Sequence, residues 1–139
     1  MLEAKADQAK EPTLDGFVIT IVPVFPTTFS LRFSNVIEFV TISTTGNTTD
    51  FGDLNFKFYR GASCTDATRA VIVQGSDDSG GTNSSIDFIT IATLGNGTDF
   101  GDMTEGGKNR PAGMSNSVRG CFAAGRIDGG GVISISYIT

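Results

Sequence analysis

Asp50 and Asp53 recur as Asp99 and Asp102, and paired carboxylates on one short stretch are the residue type that hard cations take. Calcium collects six to eight oxygens, more than two carboxylates supply. The expected role is therefore structural, with Asp side chains closing turns on nearby backbone amides. Arg69 and Arg119 open two similar apolar stretches. A pair of planar guanidinium forks can grip an anion, but the reading here is that each bonds carbonyls or an Asp of an adjoining unit. Serine is plentiful, yet the chain has no His to activate it, so serine, cysteine and metal-histidine mechanisms lack their parts. Cys64 and Cys121 without His make no ordinary structural zinc site and are read as two small apolar residues rather than a disulfide. No Lys-Ser/Thr pair follows Gly129-Gly130-Gly131, so this is not a phosphate loop. Asn47-Thr48-Thr49, Asn83-Ser84-Ser85 and Asn96-Gly97-Thr98 fit a glycosylation acceptor pattern but read as turns, Asn96-Gly97 as a tight one. The expectation is no catalysis, no cofactor and no metal.

The elements that must position these residues repeat. IEFVTISTTGNTTDFGD, from Ile37 to Asp53, returns 49 residues later as IDFITIATLGNGTDFGD, from Ile86 to Asp102, with 12 of 17 residues identical. Ile135-Ser136-Tyr137-Ile138-Thr139 starts a third copy at the same interval. A period between 20 and 50 residues signals units that bury their apolar surface only by stacking on neighbours. Ile37 to Ile42 reads as a strand apolar on both faces, as in sheets packed face to face. Thr45 to Thr48 reads as a turn, and Asp50 to Leu54 as the step that closes the motif. Arg69 to Gly75 corresponds to Arg119 to Gly125, at an offset of 50, and each runs into a Gly-rich turn. The identical placement of Phe39 with Phe88, and of Phe51 with Phe100, predicts four buried anchors. Asp53, Asp102, Arg69 and Arg119 complete the set of repeat anchors.

The 139 residues suit one domain, and 18 glycines among β-branched residues and phenylalanines point to short strands and tight turns. The net charge of −5 with no basic cluster argues against nucleic acid and against an anionic membrane surface. Residues 1–35 read as a charged tail and an extended N-terminal arm. Phe17, Ile19 and Ile21 alternate with Val18, Thr20 and Val22. Pro23 and Pro26 limit the segment to an edge strand or a docking arm that also carries Phe25 and Phe29. Residues 36–139 read as two β-repeat units plus the first strand of a third.

An apolar strand ending in Gly, then an aromatic-Gly-Asp-Leu step, resembles a kelch unit whose double glycine is reduced to Gln74-Gly75 and Ala124-Gly125. Its Trp position holds Phe51 or Phe100. The TGN-x-TDFGD string more closely resembles the repeats of virion proteins of tailed bacteriophages, whose units read much like IDYITIASTGNATDFGDL and GCSSSTRGVFGGG. The resemblance covers residues 36–139 and transfers no catalytic residue. It implies an all-β, propeller-blade-like fold and a structural virion component, either a capsid decoration or a tail appendage protein, located on the extracellular particle. A receptor- or glycan-binding module of a tail fibre, with a host surface glycan as ligand, is the alternative. The expected partners are the major capsid or tail protein and the chain itself. Closed propellers have about four to eight blades, and two units from each of three copies would give six, so a homotrimer is expected. A neighbour's arm is the expected cover for an open strand edge. The other readings of the arm are that it folds back on its own chain or docks on the capsid or tail protein.

Overall fold

The computed structural model describes residues 17–20 (backbone alone), 33–127 and 130–139, and these are all-β, with no helix among them. In chain order the strands are β1 (Phe17–Thr20), β2 (Ser34–Thr41), β3 (Thr49–Tyr59), β4 (Ala62–Thr65), β5 (Arg69–Val73), β6 (Ser76–Asp77), β7 (Ser85–Thr90), β8 (Thr98–Asp102), β9 (Ala112–Ser115), β10 (Gly120–Ala123), β11 (Arg126–Ile127), β12 (Gly130–Gly131) and β13 (Ile135–Ile138). They form three antiparallel sheets, ordered β1-β2-β3-β6, β4-β5-β7-β8 and β9-β10-β13, and a small β11-β12 pair. These are called the first, second and third sheets below.

Side-chain alternation explains the stacking. In β5, Ala70 and Ile72 face one way and pack with Ile37, Phe51, Leu54, Phe58 and Ile89, which places a core between the first and second sheets. Val71 and Val73 face the other way and pack with Cys64, Ile86, Met103 and Phe122, which places a second core between the second and third sheets. The second sheet is thus apolar on both faces; the two-sided burial expected of Ile37 to Ile42 holds for its copy in β7, whereas in β2 only the side of Ile37 and Phe39 packs on another sheet among the described residues.

Each pairing of β7 with β8 falls 49 residues after a pairing of β2 with β3. Val36 faces Asp53, and Ser85 faces Asp102. Ile37 faces Gly52, and Ile86 faces Gly101. Glu38 faces Asp50, and Asp87 faces Asp99. Phe39 faces Thr49, and Phe88 faces Thr98. Both ladders carry an irregularity at the same place, after Ile37 and after Ile86, and it leaves Phe51 and Phe100 as the extra residue. Gly52 and Gly101 follow with φ of 147° and 129°, backbone that side chains with a Cβ rarely adopt. The same bulge sets Phe39 against Phe51 and Phe88 against Phe100, edge to face, with ring centroids 6.2 Å apart in both pairs.

Three expectations change. Asp50 to Leu54 is not a closing turn; it lies inside the eleven-residue β3, because the bulge at Phe51 lets the strand continue. The first strand begins at Ser34, so a division at 35/36 falls within β2. The arm strand holding Phe17 and Ile19 pairs with β2 of its own chain, Phe17 opposite Thr41 and Ile19 opposite Phe39. β1 thereby takes the place beside β2 that β5 takes beside β7, the fold-back alternative among the arm readings. Ile21, Phe25 and Phe29 lie outside the described residues, as do Asp128 and Gly129.

Candidate functional site

The chain's polar and aromatic motif residues converge where one sheet rests on the next. The loop between β7 and β8 does not stay with its own hairpin. Gly95 N–H donates to Phe51 O at 2.9 Å, and Gly97 N–H donates to Asp53 O at 2.8 Å. Asn96 Oδ1 accepts from Asp53 N–H at 3.0 Å. Asn96-Gly97, read from sequence as a tight turn, is therefore a clamp on β3. The approach is close: a Cβ on Gly52 would run into the Gly95 carbonyl, with Asn96 N only 3.0 Å away. At Gly101 the same addition meets open space.

This asymmetry corrects the expectation of four equally buried phenylalanines. Phe51 is 3% exposed and Phe100 39%, while Phe39 and Phe88 are half-buried. The hairpins match, but the loop of β7–β8 covers β3, and among the described residues no loop makes the corresponding bonds to Phe100 and Asp102. Asp53 and Asp102 are both exposed. Asp102 Oδ1 accepts from Ser84 Oγ at 2.8 Å, and Asp99 Oδ1 accepts from Gly101 N–H at 3.0 Å. Among the described residues no three His, Cys, Asp or Glu side chains gather as a metal set.

Arg69 and Arg119 also depart from expectation. Among the described residues neither guanidinium bridges to a carbonyl or Asp of another unit. Arg69 lies over the Phe88 ring at 4.8 Å and Arg119 over the Tyr137 ring at 4.8 Å. In each case the strand pairing brings the Arg beside an aromatic on the next strand, and a ring face attracts a cation. The preceding turns match as well. Asp66 Oδ1 accepts from Thr68 and Arg69 N–H, and Asn116 Oδ1 from Val118 and Arg119 N–H. The Thr68 and Arg69 amides hold the Asp66 carboxyl below the usual range, with the Arg69 charge adding to this. These turns, Phe100 and the end of β13 frame a cleft of about 100 Å³. That is smaller than an ordinary ligand pocket of roughly 300–1,000 Å³.

Two buried charged groups were not singled out in the sequence. Asp87 is buried between the first and second sheets. It accepts from Asn55 N–H at 2.9 Å, Asn55 Nδ2 at 2.8 Å and Gln74 Nε2 at 2.9 Å. Its signal was there: an Asp between Ile86 and Phe88 in a strand apolar on both faces must find donors. Lys108 is fully buried, its Nζ 3.0 Å from both Ser134 Oγ and Ser136 Oγ and 3.5 Å from Glu105 Oε2. Ser134 Oγ also bonds Glu105, and this bond, ahead of the Lys108 charge, holds the Glu105 carboxyl below the usual range. No periodic signal marks Lys108. Both cysteines are free, Cys64 buried and Cys121 half-buried. Burial, chiefly, pushes the Cys64 thiol up, so it is no activated nucleophile.

No protein-family model matches this chain, and no curated protein is significantly similar to it.

Proposed function

We propose that this chain is a structural component of a bacteriophage virion, a capsid decoration or tail appendage protein, that works through assembly of tandem 49-residue, propeller-blade-like β-repeats. The observation that carries the reading is the pair of hairpins with identical register and bulge at an interval of 49 residues, built from the TGN-x-TDFGD string. That string is the one that resembles repeat virion proteins. The polar residues of the motifs also support it. They serve clamps, turns and ring stacks between sheets, which suits a chain that acts by holding surfaces together. Three sheets fall short of a closed propeller of four to eight blades. At three sheets per chain two copies would supply six blades, within that range, whereas the three copies expected from two units per chain would supply nine; the capsid or tail protein is the surface the assembly attaches to.

A second reading, a glycan-binding module of a tail fibre, draws on the exposed Phe100 beside Arg69 and Arg119 in the cleft, since sugars stack on exposed rings. The test is mass spectrometry and labelled electron microscopy of purified particles from the phage that encodes the chain. Stoichiometric peptides spread over head or tail support the structural reading. Few copies at a fibre tip, with glycan-array binding lost in Phe100→Ala, support the second. Absence from particles refutes both.

A further inference from the structure

The third sheet turns outward an apolar face that no sheet of the described residues covers. Phe122 and Ile138 point into the core it shares with the second sheet. Alternation then sends Cys121 and Ala123 of β10, and Ile135 and Tyr137 of β13, to the opposite face, with Met114 paired beside Cys121. Ile135 is 67% exposed, Tyr137 63% and Met114 57%.

The positions are informative. Met114, Cys121, Ile135 and Tyr137 fall 49 or 50 residues after Cys64, Val71, Ile86 and Phe88. Those four form the face of the second sheet that the third sheet covers. Even the ring stack corresponds, Arg119 on Tyr137 for Arg69 on Phe88. At the other end, the first sheet also leaves a face uncovered by any of the described residues. Ile37 and Phe39 pack inward, so Val36, Glu38 and Val40 face away, and Val36 and Ile42 are exposed. Val40 and Ile42 fall 49 residues before Ile89 and Ile91, which the second sheet uses to pack on the first.

We propose that the outer face of the third sheet, centred on Ile135 and Tyr137, binds the outer face of the first sheet of a second copy, centred on Val40 and Ile42. The occupant is a copy of this chain because the two faces carry the same packing positions that already meet twice inside it. The contact is head-to-tail. Such a contact closes into a ring when its rotation allows and grows as a filament otherwise. This rests on the repeat-assembly reading above and specifies its interface.

The test uses the full chain in sedimentation velocity over a micromolar concentration series. Ile135→Asp spoils only the third-sheet face, and Ile42→Asp only the first-sheet face. Wild type is expected to associate and each variant at least tenfold more weakly, since a carboxylate would be buried unpaired at the contact. An equimolar mixture of the two is expected to recover a complex of two copies and to stop there, because each variant keeps one sound face. Circular dichroism checks folding, and Met114→Asp or Val36→Asp replaces a variant that unfolds. A monomeric wild type overturns the proposal. So does undiminished association of Ile42→Asp, which would mean symmetric pairing of third-sheet faces, or a mixture that stays monomeric. A monomer that is nonetheless found in particles sinks this interface alone; an associating chain absent from particles sinks the virion reading alone.

Discussion

Substituting alanine at Gly46, Gly101 and Gly52 separates backbone strain from the close approach of two sheets. Gly46 has ordinary backbone and open space around it. Gly46→Ala is expected to be neutral, or to stabilise by about 0.4–1 kcal/mol through the unfolded chain. Gly101 has φ 129° and open space. Its alanine carries strain alone, a loss of about 1–3 kcal/mol. Gly52 has φ 147° and the Gly95 carbonyl directly over it. Gly52→Ala adds overpacking of about 1–3 kcal/mol to the same strain, roughly 2–6 kcal/mol in all. Backbone cannot yield as a side-chain tip does, and the loop's bonds to Phe51 O and Asp53 O would lengthen with it. Urea unfolding at low protein concentration, with equal slopes for all four proteins, gives the differences. Equal losses at Gly52 and Gly101, within about 0.5 kcal/mol, would refute the clamp of the 94–97 loop on β3.

Further outcomes follow from the same contacts. Asp87→Ala strands the donors of Asn55 and Gln74 in the core and should cost about 2–5 kcal/mol, measured by the same unfolding assay. Phe122→Ala empties the second core and should cost about 3–5 kcal/mol, whereas Phe100→Ala, on an exposed ring, should cost about half of that or less. Asp66 has its folded pKa lowered, so its contribution to stability is present above the ordinary carboxylate range and lost as pH falls through the folded value. Asp66→Asn should therefore flatten the acid limb of unfolding midpoint against pH and leave its shape near neutrality unchanged. Purified protein is expected not to hydrolyse polysaccharide; reducing sugar released by the wild type but not by a single Asp or Glu variant would contradict this.

The strands and their interval could be read from the sequence because identical strings must fold alike locally, and Ile37, Phe39 and Thr41 alternate as a strand requires. The two apolar faces of β7 were legible through its identity with the Ile37 to Ile42 string, while the bare outer side of β2 was not. Phe100 was misread because its exposure depends on which loop lies over β8, and local identity with Phe51 is silent on neighbours. Arg69 and Arg119 were misread because their partners, Phe88 and Tyr137, are set by cross-strand register. Asp50 to Leu54 looked like a turn from its Asp and Gly content, and a bulge uses the same residues to keep a strand going. Lys108 meets Ser134 and Ser136 only through the packing of the third sheet, and no spacing along the chain encodes that.

Identical packing positions, inside one chain and between copies, are proposed to build a virion structure. A near-atomic cryo-electron microscopy reconstruction of phage particles that contain the chain would test this proposal directly. Density is expected in which Ile135 and Tyr137 of each copy lie beneath Val40 and Ile42 of the next. Particles without that density, or copies that touch only through other proteins with both faces bare to solvent, would contradict it.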